Sequence, residues 1–389
     1  MPLADEKEER ERMNIGIVCY PTYGGSGVIA TELGQEIARR GHNVHFISYS
    51  IPQRLDSFQE RVFFHEVEVP TYPLFQYPPY SLALATKIAE VAEYRSLDLL
   101  HVHYAIPHAT SALLAREITS TKGFKVITTL HGTDITVVGS NPSYLPVARQ
   151  SMERSDGLTA VSQYLKKVTM AKFGIAKEIE VIPNFVDTRK FRREPVIPCL
   201  KGAKEKGEKV VIHISNFRPI KRLADVVEVF YLLQKAIPCQ LLLIGDGPER
   251  AKTEQLCRQK GIISSVNFLG KQNAIRELLN ISDLLLLPSE KESFGLVALE
   301  ALACEVPVVA TNVGGLPEVI IHGEVGFLCE VGDINTMYEY SLKLLQDEPL
   351  RREMGLKGRQ RVIDFFSLEP VVNRYEEYYF QILQKTAER

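Results

Sequence analysis

The sequence predicts an α/β protein built from two doubly wound parallel-sheet domains, and three observations carry that expectation. Short β-branched or apolar runs alternate with amphipathic stretches along the chain, the pattern of strand–helix–strand units. Glycines, histidines and charged residues gather just after those runs, where doubly wound sheets bind their ligands. The alternation breaks over 189–209, which holds Pro195, Pro198 and several lysines, and starts afresh at Val210. A chain of 389 residues fits two domains of ordinary size. They are expected at 13–186 and 187–369, with a C-terminal helix over 370–386 packing back on the first.

In the first half, residues 14–19 read as a strand, 20–27 as a glycine-rich loop and 28–40 as a helix with Ile29, Leu33 and Ile37 on one face. Gly41 is its stop signal. Gly24-Gly25-Ser26-Gly27 serves equally as a tight turn or as a backbone that aims amides at an anion. Strands follow at 44–48 and 62–69, then a loop rich in Tyr and Pro over 70–80 and a helix over 82–94. The next strand ends in His101-Val102-His103-Tyr104. The two histidines share a face; with no third ligand at a sensible spacing, lining a ligand crevice is favoured over a metal pair. Residues 126–130 run straight into His131-Gly132-Thr133-Asp134. That places His131 at a strand's carboxyl end, as a hydrogen-bonding or acid–base group or as a histidine satisfied by backbone. A helix carrying Val147, Arg149 and Met152, a strand over 157–161, a helix over 163–173 and a strand from Val181 complete this half.

The second half opens with a strand over 210–215 and the basic loop Asn216-Phe217-Arg218-Pro219-Ile220-Lys221-Arg222, ahead of a helix over 224–235. Cations at that strand end are candidates for ligand contact rather than solvated surface. Strands over 240–244, 266–269, 284–287, 308–310 and 326–328 follow, and Gly314-Gly315 marks a second glycine turn. The last helix carries Tyr375, Tyr378 and Tyr379 and needs a surface to pack on. Between the strands at 284–287 and 308–310, Glu300 is the only charge in an apolar helix over 294–304, and a buried carboxylate is costly without a partner. Glu292 lies just before the helix start, where unpaired N–H groups and the helix dipole favour anions. One carboxylate at the mouth and one about two turns deeper suggest a polar ligand held at a helix N-terminus.

Composition narrows the function. Lys plus Arg at 46 against Asp plus Glu at 48, net charge -2, argues against a general nucleic-acid or membrane-surface binder. No apolar stretch approaches the ~18–20 residues that span a bilayer. The charged run over 4–12 is not a secretory signal, and Met13 is a candidate start. The six cysteines are scattered without a C-x-x-C pair, as expected for reduced core residues of a cytoplasmic protein. Arg218, Lys221, Glu292, Glu300 and the amides of Gly295 and Leu296 together suit a sugar nucleotide diphosphate: cations and a helix start for the diphosphate, carboxylates for hydroxyls. The chain has no D-x-D sequence, so neither a metal-held diphosphate nor any other cofactor is expected.

These features, Glu292 and Glu300 as E-x7-E, the N-terminal glycine loop, H-x-H-Y at 101–104 and His131, resemble the retaining glycosyltransferases of family 4 with the GT-B fold. The resemblance runs from about Asn14 to the last helix. It implies two Rossmann-like domains facing across a crevice, the first for the acceptor and the second for the nucleotide sugar. The strings over 19–21, 24–34, 129–136 and 215–218 are similar to the branch of the family that serves bacillithiol biosynthesis, which implies UDP-N-acetylglucosamine as donor and L-malate as acceptor. In the family's terms Glu300 grips ribose, Glu292 lies by the sugar hydroxyls, Lys221 meets the diphosphate and His131 stands near the transferred sugar. The implied catalytic set is His131, Glu292, Lys221 and Arg218. Donor contacts add Gly25, Leu269, Phe294, Gly295 and Leu296, and acceptor contacts are Ser26, Gly27, Tyr104, Thr133 and Arg149. Many relatives carry an arginine where this chain has Asn216, and that charge is assigned to Arg218. Same-face attack, with the leaving phosphate deprotonating the acceptor, follows from the family as well. Other acceptors such as an inositol phosphate, a UDP-N-acetylglucosamine epimerase or hydrolase, and a sugar-nucleotide-binding regulator stay open. A homo-oligomer is compatible with the sequence.

Overall fold

The computed structural model describes residues 12–22, 24–55, 58–120, 123–139, 141–194 and 208–385. Most of the expected linker, Cys199 and the charged run up to residue 11 lie outside them. The chain divides into two compact units, one comprising residues up to 160, 168–180 and from 372 onwards, the other 161–167 and 181–371.

The first unit is a seven-stranded sheet of β1 (Asn14–Val18), β2 (Asn43–Ser48), β3 (Val62–Glu66), β4 (Leu99–His103), β5 (Lys125–Leu130), β6 (Gly157–Ala160) and β7 (Glu180–Val181). Their spatial order is β3-β2-β1-β4-β5-β6-β7. Strand pairs from β3 through β6 are parallel. The order reverses between β1 and β4, the kind of position at which doubly wound sheets take their ligands, at the strands' carboxyl ends.

The second unit repeats the design with six strands: β8 (Lys209–Ile214), β9 (Cys239–Ile244), β10 (Val266–Gly270), β11 (Leu284–Leu287), β12 (Val308–Thr311) and β13 (Gly326–Cys329). Their order, β10-β9-β8-β11-β12-β13, reverses between β8 and β11. All pairs are parallel. Leu284, Leu285, Leu286 and Leu287 are all buried, as a strand covered by helices on both faces requires. That is why the apolar runs identify the strands so directly.

Two helix starts differ from the sequence expectation. The first helix is Gly25–Arg39, so the glycines form its opening turn rather than a loop before it. The helix bearing Glu300 is Leu296–Ala303. Gly295 has φ +99°, a left-handed conformation that ends the preceding turn and postpones the helix by two residues. The last helix, Leu368–Gln384, meets its packing need in the first unit: Leu158 N–H donates to Tyr378 Oη at 3.0 Å, and Tyr375 and Tyr379 are fully buried. The five described cysteines are free and buried. Among the described residues no helix is long and apolar enough to cross a membrane, and no group of three or more His, Cys, Asp or Glu is placed to hold a metal ion.

Candidate functional site

The reversal point of the second sheet gathers the charges. After β8 the chain makes a 3-10 turn, Pro219–Lys221, and after β11 it runs through Ser289 to the helix start at Leu296. Glu290 N–H donates to the Ile220 carbonyl at 2.8 Å, stitching the two loops together. Lys221 Nζ lies 2.6 Å from Glu292 Oε2, both side chains about four-fifths shielded. A charge-assisted bond of that length is among the stronger side-chain contacts. A third loop supports Glu292 from below. Gly315 N–H donates to the Glu292 carbonyl at 3.0 Å, and a Cβ on Gly314 would stand 1.7 Å from that oxygen. Only glycine lets the loops approach so closely. The helix Leu296–Ala303 has no side-chain cap, so its first N–H groups are free for an anion. Glu300, 5% exposed, lies in its second turn. Ser289 Oγ is buried without a partner in the same loop.

In the first unit the corresponding point joins the start of helix Gly25–Arg39 to the ends of β4 and β5. That helix too has no side-chain cap. Ser26 Oγ and Tyr104 Oη bond at 2.8 Å. Tyr104 has φ +102°, a conformation that non-glycine residues rarely hold. Its backbone N–H donates to Thr129 at 3.0 Å, and its ring meets Tyr20 edge-on at 5.4 Å and His131 at 5.4 Å. Asp134 ties the two strand ends together, accepting from Ala105 N–H at 3.0 Å and Gly132 N–H at 2.9 Å. Burial pushes its carboxyl up to about 6 against those bonds.

His103 Nδ1 and His131 Nε2 lie 2.8 Å apart, so one of them carries the shared proton. His103 Nε2 is buried without a partner. An orphaned buried N–H is rarer than a bare acceptor, which assigns the His103 proton to Nδ1, donating to His131 Nε2. The proton of His131 then sits on its Nδ1. Burial pushes His131 down to about 3 and His103 well below its ordinary value, so both rings are neutral near pH 7. With Nε2 occupied, His131 offers an N–H donor and not a base at that nitrogen.

Two halves of the chain match glycosyltransferase families. Residues 23–190 match Glycosyltransferase Family 4, and residues 201–361 match Glycosyl transferases group 1. An N-acetyl-alpha-D-glucosaminyl L-malate synthase of Bacillus anthracis is 49% identical over 375 residues, covering 96% of this chain and 98% of that protein. The chain belongs to the family 4 glycosyltransferases. A GDP-mannose-dependent alpha-(1-6)-phosphatidylinositol monomannoside mannosyltransferase of Mycobacterium tuberculosis is a more distant relative, 26% identical across 86% of this chain and 90% of that one. In fold, the chain is similar to a glycosyltransferase from Rickettsia africae, with TM-score 0.79 and 22% identity over 97% of this chain and 100% of the other. It is likewise similar to Anabaena HepE in complex with UDP and glucose, with TM-score 0.78 and 20% identity over 94% and 99%. Two doubly wound parallel-sheet units are the GT-B architecture of this family.

Not every candidate of this glycosyltransferase falls where the sequence suggests. Lys221 and Glu292 are in contact, Gly295 and Leu296 adjoin them, and Ser26, Tyr104 and His131 form one cluster. Arg218 is exposed three residues before Lys221 and accepts from the Lys221 N–H through its carbonyl. Gly25 and Thr133 are exposed. Leu269 is half-buried in β10, its carbonyl taken by Gln272 at 2.6 Å. Phe294 is buried edge-on against Phe366, with ring centres 5.8 Å apart, so its side chain belongs to the core. Gly27 is also changed in role: its N–H donates to Gly24 at 3.1 Å, and the space of its missing Cβ is taken by the Tyr20 carbonyl at 2.4 Å. The amides left for a ligand are those of Gly25 and Ser26. Arg149 is exposed and reaches the Gly174 carbonyl at 3.5 Å; no described contact joins it to Ser26, Tyr104 or His131. His101 lines no cleft. It is fully buried between Thr129 Oγ1 at 2.6 Å and Tyr379 Oη at 2.7 Å. Asp134 and His108 are absent from the sequence-derived set. Asp134 had a signal, an acid two residues beyond the glycine at a strand end; His108, whose Nδ1 donates to the His103 carbonyl, had none.

Proposed function

We propose that this enzyme transfers N-acetylglucosamine from UDP-N-acetylglucosamine to the hydroxyl of L-malate with retention of the anomeric configuration, the first step of bacillithiol biosynthesis, in the cytoplasm and without a metal or other cofactor. The observation that carries the proposal is the 49% identity, over nearly the whole of both chains, to the Bacillus anthracis N-acetyl-alpha-D-glucosaminyl L-malate synthase. Side-chain chemistry supports it in each unit.

In the second unit the diphosphate lies over the free amides at Gly295 and Leu296, with Lys221 and the exposed Arg218 as its cations, while Glu300 accepts from the ribose hydroxyls. The Lys221–Glu292 pair holds both charges satisfied until the donor arrives. Lys221 then turns to the phosphate, and Glu292 accepts from the sugar hydroxyls. In the first unit Gly25 and Ser26 amides meet a malate carboxylate, and Ser26, Tyr104 and Thr133 supply hydroxyls. The His131 N–H hydrogen-bonds the transferred sugar. The sugar C1–oxygen bond to the diphosphate breaks as the malate oxygen bonds to C1 on the same face. The malate hydroxyl proton passes to the departing phosphate oxygen, and Lys221 stabilises the charge that develops there.

The test incubates the protein with UDP-N-acetylglucosamine, with and without L-malate, follows UDP release, and reads the anomeric configuration of the product by NMR. Malate-dependent release with an α-linked product is expected. Release that ignores malate, or none, overturns the proposal.

A further inference from the structure

We propose that His213 is a positioning residue for transfer: acting through Ser215, its ring sets the loop from Asn216 to Arg222 so that Lys221 meets the departing diphosphate. This rests on the reading of Lys221 as the diphosphate cation and adds what holds that lysine in place.

A histidine is out of character in this strand. β8 reads Lys209-Val210-Val211-Ile212-His213-Ile214, with Val210, Val211, Ile212 and His213 all buried. A polar ring is costly there unless its nitrogens are bonded. His213 Nδ1 lies 2.9 Å from the Leu286 carbonyl, which can only accept, so Nδ1 carries the proton. Nε2 is then an acceptor and takes the O–H of Ser215, 2.8 Å away. Ser215 Oγ in turn accepts from the Phe217 N–H at 3.3 Å. The bonds run in one direction, from Phe217 to Ser215 to His213 to Leu286. Burial pushes His213 down to about 4, so the ring is neutral near pH 7 and the direction is fixed.

Both ends of this chain of bonds lie where the donor side is built. Pairing of β8 with β11 runs through Leu284↔Val211 and Leu285↔Ile212. One residue further on, the link is the His213 side chain, and from there β11 leads towards Glu292. At the other end Phe217 holds φ +39°, strained for a bulky residue, with its ring fully buried. Such a backbone persists only where its surroundings hold it, and the bond to Ser215 is one such hold. Two glycines close the loop in: a Cβ on Gly245 would stand 1.8 Å from the Ser215 carbonyl and one on Gly247 2.3 Å from that of Asn216. Lys221 follows four residues after Phe217, its N–H donating to the Arg218 carbonyl at 2.8 Å, so a shift at Phe217 is passed on to it. An apolar side chain at 213 would fill the core and hold neither loop.

Steady-state UDP release from UDP-N-acetylglucosamine and L-malate tests this in four variants. His213→Asn keeps a donor near Nδ1 and drops the acceptor at Nε2. Ser215→Ala removes the intermediary and leaves His213 in place, and His213→Gln keeps an acceptor near the position of Nε2. His213→Asn and Ser215→Ala are each expected to lower kcat ~10- to 100-fold, the scale of a displaced catalytic group, with a smaller change in KM for the donor. The double variant H213N/S215A is expected to lose no more than the larger single loss, because both changes remove one link. His213→Gln is expected within about threefold of wild type, which a role in packing alone would not produce. Phosphorus NMR of bound UDP reads Lys221 with no acceptor present: the β-phosphate resonance is expected to move in H213N and S215A towards its position in K221A, and to stay in H213Q. Losses that add in the double variant, equal losses in H213Q and H213N, or a β-phosphate resonance unmoved in H213N and S215A overturn the proposal. A wild type that binds UDP but ignores malate overturns the acceptor assignment alone, and the phosphorus spectra still decide the role of His213.

Discussion

Replacing His103 tests the assignment of the His131 proton. In His103→Leu the donor to His131 Nε2, now 2.8 Å away, is lost, and the ring is left with an unpaired nitrogen beside apolar atoms. Leaving a buried polar atom unsatisfied costs about 1–3 kcal/mol. If His131 must hold its orientation and its Nδ1 proton to meet the sugar, that cost enters the barrier, and each 1.4 kcal/mol is tenfold in rate. The expected loss is ~10- to 100-fold in kcat, with a smaller change in KM for malate. His103→Asn keeps an N–H donor close to the position of Nδ1 and discards the buried Nε2 that has no partner, so it is expected within about threefold of wild type, on the view that the retained bond is the full requirement. Both variants shorten a buried side chain, so both lower the unfolding midpoint, and a purely structural role would make their kinetic losses track stability. Steady-state UDP release supplies the rates. Long-range proton–nitrogen NMR of the His131 ring reads the tautomer directly, with Nδ1–H expected in the wild type and in His103→Asn. Equal losses in the two variants, or an Nε2–H tautomer of His131 in the wild type, would refute the reasoning.

Lys221→Ala removes the cation paired with Glu292 and is expected to lower kcat by ~10²- to 10³-fold; equal losses in kcat and in UDP affinity would mark simple binding instead. Glu300→Ala should weaken UDP binding at least ~10-fold, the scale of a lost charge-assisted hydrogen bond, as read by calorimetry. Gly314→Ala forces the loop off the Glu292 carbonyl, 1.7 Å from the new Cβ at a residue with φ +60°, and is expected to lower both the thermal midpoint and donor affinity. Acid should unfold the protein early: burial holds His101 at about 3 and His108 and His213 at about 4. Their folded-state values lie below the unfolded ~6.5, so their stability is complete above pH 6.5 and is lost as pH falls. That loss reaches about 2 kcal/mol each by pH 5. Asp134, raised to about 6, has the opposite sign and returns roughly 1 kcal/mol over the same interval. A net loss of at least ~4 kcal/mol between pH 7 and pH 5 is expected from guanidinium unfolding, because the depressed His103 and His131 add to it with the same sign; a flat profile would contradict it.

How far the sequence reads depends on how far away each residue's partner lies. β11 is legible because a strand buried on both faces must be apolar throughout, and Leu284–Leu287 needs no partner to say so. Lys221 and Glu292 are legible as charges at strand ends. Their contact is not, because it follows from β8 lying beside β11, and strand order is a property of pairing across the sheet. His101 shows the opposite failure. Its place near a strand end suggests a cleft, yet it is sealed in by Tyr379, 278 residues away, and nothing local distinguishes it from His103, two residues on, which reaches His131. Arg149 is legible only as a charge that suits a dianion; its described partner, the carbonyl of Gly174, lies 25 residues on. Glycines divide along the same line. Gly295 is needed for its own φ of +99°, which a turn before a helix announces, whereas Gly314 is needed because the Glu292 carbonyl lies where its Cβ would be. The glycine that crowds the Glu292 loop is therefore on a different loop from the carboxylate it supports, and only the fold connects them.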